Sequence, residues 1–529
     1  MSPWLYEARA DLKLLQEPLA VCPATRFGFQ LRRGKKSLWA LVGNPDGARL
    51  ACRVAYAPGH LRINDIAGEH KGTRIDLETD YGSLRVFVAF EPGREPLLRW
   101  TTKLLPTQDL QLPYWPRDVY VCGRQTDPLQ SKGTVHTNQR GLRTGIVFAS
   151  VDEPETFSFL YWQNFSALCR YFDATRTSPA DTVGGVWPEL GYAAPSSKVP
   201  LPKSREETIA DAYVALTPQR YENDRQIAAS YLDLFARVYQ SMPHPEVVYH
   251  HWPDKAQEAL RDMAFSPQCT YERRGRRYAM PYVGDATKPP ESMVHFTVLH
   301  PAREYAAWGG IDPHLVRELV KSVDSFFDPK IGAMVRWLPG EKFKKSSEDG
   351  QRHANMDSWY FYHTLFNLSR LAKEGHSEAR RRFAASLPLA MRIAKRFDYR
   401  WPVFFNIRTL EIVRAESAPG KGGEDDVAGL YALVMLQAYE LFRRREYRAE
   451  AERAAAALSG LGFSLGYQMN TTGFAAEAML RLWKITGRQY YLEMSYVCLA
   501  NLVDNMWVWE CDYGWGKAYR TFFGLFPLR

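Results

Sequence analysis

Two hydrophobic periodicities divide the chain. From about Leu19 to Pro218 apolar and polar residues change places over short runs: ARLACRVAYA, TRIDLET, SLRVFVAF, PLLRWTTKLL, TGIVFAS, TFSFLYWQ and ADAYVAL. These runs are rich in β-branched and aromatic residues, and successive side chains of a strand face opposite sides, so each reads as a half-buried or buried strand. Turn-formers punctuate them at Asn44-Pro45-Asp46-Gly47, Pro58-Gly59 and Glu91-Pro92-Gly93. Strands at this spacing, without a helix-length pattern between them, predict an antiparallel β-sandwich. A span of roughly 200 residues exceeds a simple sandwich and calls for a large double sheet with long connections.

After Pro218 the repeat lengthens. YENDRQIAASYLDLFARVYQ opens a helical half, in which the spacing predicts ten helices, at about 223–241, 253–265, 292–308, 313–327, 355–374, 377–398, 425–444, 446–461, 471–486 and 488–507. Asn355 and Asn470 are placed as caps, and Glu424, Asp425 and Asp426 crowd one helix start. Gly375, Gly460 and Gly487 stand just past helix ends, where a left-handed residue is needed. MDSWYFYHTLFNLSRL, VAGLYALVMLQAYELF and TTGFAAEAMLRLW are apolar on nearly every side and should be surrounded by protein. SEARRRFAASLPLAMRIAKRF and EYRAEAERAAAALSGL are charged on one face and should lie outside. Connections from charged back to apolar helices are long, at about 328–354, 399–424 and 462–470. Long loops at one type of joint gather at one end, around the N-termini of the inner helices, and there a pocket should form.

A β-sandwich over 1–218 followed by an (α/α) toroid over 219–529 resembles several carbohydrate-active families. These are the inverting glycoside hydrolases and phosphorylases built like glucoamylase and the disaccharide phosphorylases; polysaccharide lyases share the toroid. The resemblance is architectural and brings no family motif with it. It implies a glycoside hydrolase acting on an oligo- or polysaccharide, with a polysaccharide lyase for uronate-containing glycans or a non-catalytic glycan-binding scaffold as alternatives. Six hairpins need twelve helices, whereas the chain ends at FFGLFPLR after a possible eleventh, Lys517 to Phe526, so the toroid is expected to be open or incomplete at its C-terminus.

Composition narrows the chemistry. Apolar residues make up 46% and charged residues 24% of 529, the balance of a soluble globular protein long enough for several cores. The start, MSPWLYEARADLKLLQEPLAV, has neither a basic n-region nor an apolar h-region, and the longest apolar run, Val427 to Phe442, is too short to cross a bilayer. Seven scattered cysteines without a C-x-x-C argue against a disulfide framework or a cysteine-built zinc site. A cytoplasmic protein with no membrane segment is expected. Net charge is +9, without a basic tail or nucleic-acid module, so no nucleic-acid partner is predicted. No Walker A, G-x-G-x-x-G, H-E-x-x-H or EF-hand pattern occurs, and neither cofactor nor metal is expected. Aromatics reach 13% with 15 Trp, many of them in loop-like stretches; exposed rings of this kind stack on the apolar faces of sugars.

Glycoside hydrolysis needs two carboxyl groups flanking the bond, one of them protonated. The expected mouth offers Glu348, Asp349 and Asp357 from the first long loop, Glu424, Asp425 and Asp426 from the second, and Glu510 and Asp512 from NMWVWECDYGWGKAY. One acid from 348–357 or 424–426 is expected to work with a partner from 510–512. Trp337, His353, Asn355, Trp359, Arg408, Asn470, Trp509, Tyr513 and Trp515 are the expected sugar contacts. Each acid at a helix start is equally suited to capping that helix.

Overall fold

The computed structural model describes all residues except 1, 24–25, 45, 70, 114, 245, 247–248, 283, 312, 342, 344–351, 519–523 and 526–529, and the side chains of 515, 518, 524 and 525. The chain divides into two compact units, Met1–Pro245 with Leu502–Phe526, and Glu246–Asn501. Among the described residues it holds two large antiparallel sheets and twelve α-helices.

The first unit is built on those two sheets. One has seven strands in the order Pro18–Cys22, Gly28–Arg33, Ser37–Gly43, Arg49–Tyr56, Val119–Cys122, Glu189–Tyr192 and Val183–Val186. The other has eight: Lys132–Asn138, Ile146–Glu153, Phe157–Gln163, Glu207–Thr217, Leu97–Pro106, Gly82–Glu91, Gly72–Thr79 and Leu61–Glu69. Strict alternation is visible in Gly82–Glu91, where Leu84, Val86 and Val88 enter the core while Ser83 and Arg85 meet solvent. Ser37–Gly43 and Arg49–Tyr56 are buried at every position. The reason is α1 (Pro3–Leu12), which lays Leu5, Ala8 and Leu12 over Trp39, Leu41, Ala51 and Tyr120. Its three apolar positions at spacings of three and four form a stripe too short to stand out in the sequence. Ser2 caps it by accepting a hydrogen bond from the Leu5 N–H. A second helix absent from the sequence reading, α2 (Cys169–Thr175), follows the strand Phe157–Gln163.

Helix α3 (Asp224–Ser241) also belongs to this unit. Its Phe235 stacks on Trp162 at 4.8 Å, and Tyr231 meets Phe148 edge-on at 5.6 Å. The C-terminal stretch returns to the same body: Trp509 packs edge-on against Phe165 at 5.9 Å and donates to the Leu142 carbonyl. The expected eleventh helix over 517–526 does not form over the described residues. Gly514–Ala518 is a 3₁₀ turn, and Gly524–Leu525 pairs with Met506–Trp507.

The second unit holds α4 (Trp252–Phe265), α5 (Ser292–Gly309), α6 (His314–Val320), α7 (Ser358–Lys373), α8 (Ser377–Arg396), α9 (Val427–Phe442), α10 (Arg445–Ala456), α11 (Met469–Thr486) and the start of α12 (Gln489–Asp504). Helices α5, α7, α9 and α11 pack in succession, each on the next. Helix α8 backs α7 and α10 backs α9. Burial follows the expected alternation: twelve residues of α9 are buried, including the whole run Val427–Ala438, whereas α8 buries one face and exposes its arginines. At Gly429 helices α9 and α11 are in close contact, for a Cβ there would lie 2.1 Å from the Cβ of Ala475 in α11. No described helix is long and apolar enough to cross a membrane.

Candidate active site

The long connections of the second unit do meet at the N-terminal ends of the packed row. Residues Asn355–Asp357, Phe404–Asn406 and Ile412–Arg414 form a small three-stranded antiparallel sheet from two of those loops. The Ser358 N–H donates to the Val403 carbonyl, and the Glu424 N–H to the Trp401 carbonyl. On the other side of α7, the Ser292 N–H at the start of α5 donates to the Arg336 carbonyl. Four buried acids, Glu291, Asp357, Glu424 and Asp426, thereby line up across the starts of α5, α7, α9 and α11.

None of the four makes a side-chain cap on the helix it precedes. Glu424, ahead of α9, accepts the Trp359 N–H in the first turn of α7 at 2.8 Å. Asp426 accepts the Tyr467 and Gln468 N–H groups at 3.0 and 2.9 Å and the Thr472 hydroxyl at 2.8 Å, which ties down the start of α11. Glu291 pairs with the guanidinium of Arg336, which is stacked between Trp337 and Tyr360 at 4.9 and 4.0 Å. The Nη1 of Arg336 stands 3.9 Å from Asp357 Oδ2.

The carboxyls of Asp357 and Glu424 are close neighbours, and the charge of Asp357 disfavours ionisation of Glu424. Glu424 is wholly buried, while Asp357 keeps 8% of its surface exposed and is the member that faces outward. Burial lifts Asp357 to about 7, against the pull of Arg336. Burial likewise pushes Glu424 well above the carboxylate range, reinforced by the charges of Asp357 and Asp426. Asp426 is lifted to about 6 by burial, restrained by its three donors. Half-buried Trp359, Tyr360 and Tyr467 flank the pair. Burial thus favours the protonated form of the pair beside half-buried aromatic rings, which suits a general acid.

The other expected site residues are dispersed. Asp425 is half-buried beside Asp426. Trp337 is buried under the Arg336 stack, and Asn355 is buried within its strand rather than capping α7. His353 is exposed, its ring 5.0 Å from that of Phe343. Arg408 is exposed. So is Asn470, which lies in the first turn of α11 rather than at its cap and accepts the Thr471 N–H. Glu348 and Asp349 lie outside the described residues. Glu510 and Asp512 belong to the first unit; the Glu510 N–H donates to the Ser166 hydroxyl, and its carbonyl accepts from the Cys169 thiol. Trp509 and Tyr513 pack into that unit's core, and Trp515 lies in the adjoining 3₁₀ turn.

Sequence reasoning missed Arg336 and Tyr467. The available signal was Arg336 itself, a lone charge in the apolar run Ala333–Leu338 that needs a buried partner.

No protein-family model matches the sequence, and no curated protein matches it. Solved structures superpose on parts of it. A GH76 α-mannanase from Bacteroides thetaiotaomicron shares 9% identity over 53% of this chain and 73% of its own, at a TM-score of 0.36. Cellobiose 2-epimerase from Bacillus thermoamylovorans shares 12% over 54% and 74%, at 0.37. A polysaccharide lyase shares 9% over 92% and 82%, at 0.34. At similarities this low the site is read from its own geometry.

Proposed function

We propose that the chain is a glycan-active enzyme, a glycoside hydrolase whose helical half closes into an (α/α) toroid with Asp357 and Glu424 at its mouth. The observation that carries this reading is the buried carboxyl pair, both members pushed toward their protonated forms by burial, within a rim of aromatic side chains. Because the two carboxyls touch, they do not flank a bond at the ~5–9.5 Å of a conventional hydrolase pair. They act instead as one proton donor. Asp357, the accessible member, protonates the glycosidic oxygen as its bond to the anomeric carbon breaks. Glu424 and Arg336 then spread and balance the charge left behind. Water adds to the anomeric carbon and loses its proton to a second carboxylate, for which Asp425 is the candidate.

A panel of oligo- and polysaccharides, read for new reducing ends and for the ultraviolet absorbance of unsaturated uronates, tests the reaction class. Reducing ends without that absorbance are expected. With the substrate so found, Asp357→Asn and Glu424→Gln should each lower kcat by about 10²-fold or more while the far-ultraviolet circular dichroism is unchanged. Full activity in both variants would remove the pair from the chemistry.

A further inference from the structure

At the edge strand of the small sheet, Arg414 makes no ion pair among the described residues. In the sheet's register Asp357 pairs with Phe404, and Phe404 pairs with Arg414. Residues directly opposite in neighbouring strands point to the same face, so these three side chains form one row across about 10 Å, two inter-strand spacings. Arg414 does not extend away along this row. Its guanidinium lies over the Phe404 ring, 4.8 Å from the centroid, folded back toward the carboxyl pair. Its positive charge reaches both Asp357 and Tyr467.

Several other arginines of this unit are ion-paired. Arg336 has Glu291, Arg370 has Glu304, Arg303 has Glu374 and Arg453 has Glu450. The exposed guanidinium groups of Arg414 and of Arg408, in the loop between the second and third strands, have no ion pair or hydrogen bond among the described residues. Two acids of that hairpin have other partners: Glu411 accepts from the Thr409 hydroxyl, and Glu416 from the Gly420 N–H. A guanidinium held by a ring face, with its donors free and Asp357 in the same cross-strand row, is arranged to receive an anion bidentately.

We infer that Arg414 is an anion subsite of this mouth, and that the substrate is a glycan with a negatively charged ring, bearing a uronate carboxylate or a sulfate. This rests on the reading of Asp357 and Glu424 as the proton donor and adds the substrate class to it. The anionic group sits on Arg414, the ring packs toward Phe404 and Tyr467, and the glycosidic oxygen is presented to Asp357.

Binding rather than turnover tests the inference, on the intact protein carrying Glu424→Gln, with and without Arg414→Gln or Arg414→Lys. The probes are uronate oligosaccharides, sulfated neutral oligosaccharides and their uncharged counterparts, with affinities from tryptophan fluorescence or calorimetry and melting temperatures measured alongside. Acidic probes should bind, weaken with added salt, lose tenfold or more in affinity with Arg414→Gln, and recover in part with Arg414→Lys. Whether the uronate or the sulfate series responds decides between the two anions. Equal binding of uncharged probes, or acidic binding indifferent to Arg414→Gln, would overturn the subsite and leave the proton donor standing. Failure of every glycan to bind would overturn the glycan reading, and the subsite with it.

Discussion

At the scale of single residues, the position of one proton decides the chemistry. Asp357 is lifted to about 7, so the donor form is present below that pH and lost above it, and the proposed hydrolysis should fall along an alkaline limb near pH 7. Stability follows the same titration. A carboxyl whose pKa is raised on folding binds its proton more tightly in the native state, so its contribution is fully present below the unfolded value near 4 and is lost as pH rises through about 7. Asparagine does not titrate. Asp357→Asn should therefore match the wild type in thermal unfolding at pH 4 and exceed it at pH 8, by about 4 kcal/mol. An advantage of the same size at both pH values would mean that Asp357 is not held protonated. The sequence made Asp357 and Glu424 visible as acids next to apolar helices, but not their contact. They stand 67 positions apart, and only the pairing of the strand that ends at Asp357 with Phe404–Asn406, and of Trp401 with Glu424, brings them together.

At the scale of elements, the alternation of apolar and charged helices was plain because burial on all sides leaves a composition that no surface helix shares. The starts of those helices were misread for a physical reason. An acid ahead of a helix caps that helix when it is isolated, yet in a packed row the neighbouring helix start is just as near. Asp426 accordingly serves α11 instead of α9, and Glu424 serves α7. Such exchange needs inner helices in close contact, as at the crossing of α9 and α11 at Gly429. A methyl group there would meet both the Cβ and the Cα of Ala475, at 2.1 and 2.6 Å, and backbone cannot rotate away as a side chain can. Although alanine is the better helix former, Gly429→Ala should cost about 1–3 kcal/mol in denaturant unfolding. It should also lower activity, because Asp426 ties the α9 start to the α11 start. A stabilised variant would show that the two helices stand further apart.

For the molecule as a whole, the order of strands then helices was readable, while the membership of the last residues was not. NMWVWECDYGWGKAY follows the final helix and offers acids among aromatics, which from sequence alone suits a sugar subsite. In the structure its aromatic content answers to packing: Trp509 is 7% exposed within the core of the first unit, and Trp507 and Tyr513 pack against that core. A chain that leaves a body at residue 245 and re-enters it at 502 makes that body depend on its own C-terminal stretch. Trp509→Ala removes a large side chain from that core together with its hydrogen bond to the Leu142 carbonyl, a loss of about 3–5 kcal/mol. The loss should fall on one unit. Hydrogen exchange should quicken across Phe157–Gln163 and Glu207–Thr217, the strands beside Phe165, while amides of α7 and α9 keep their protection. If α7 and α9 loosened to the same degree, the two units would unfold as one, and the division of the chain at residues 245 and 502 would have no energetic meaning.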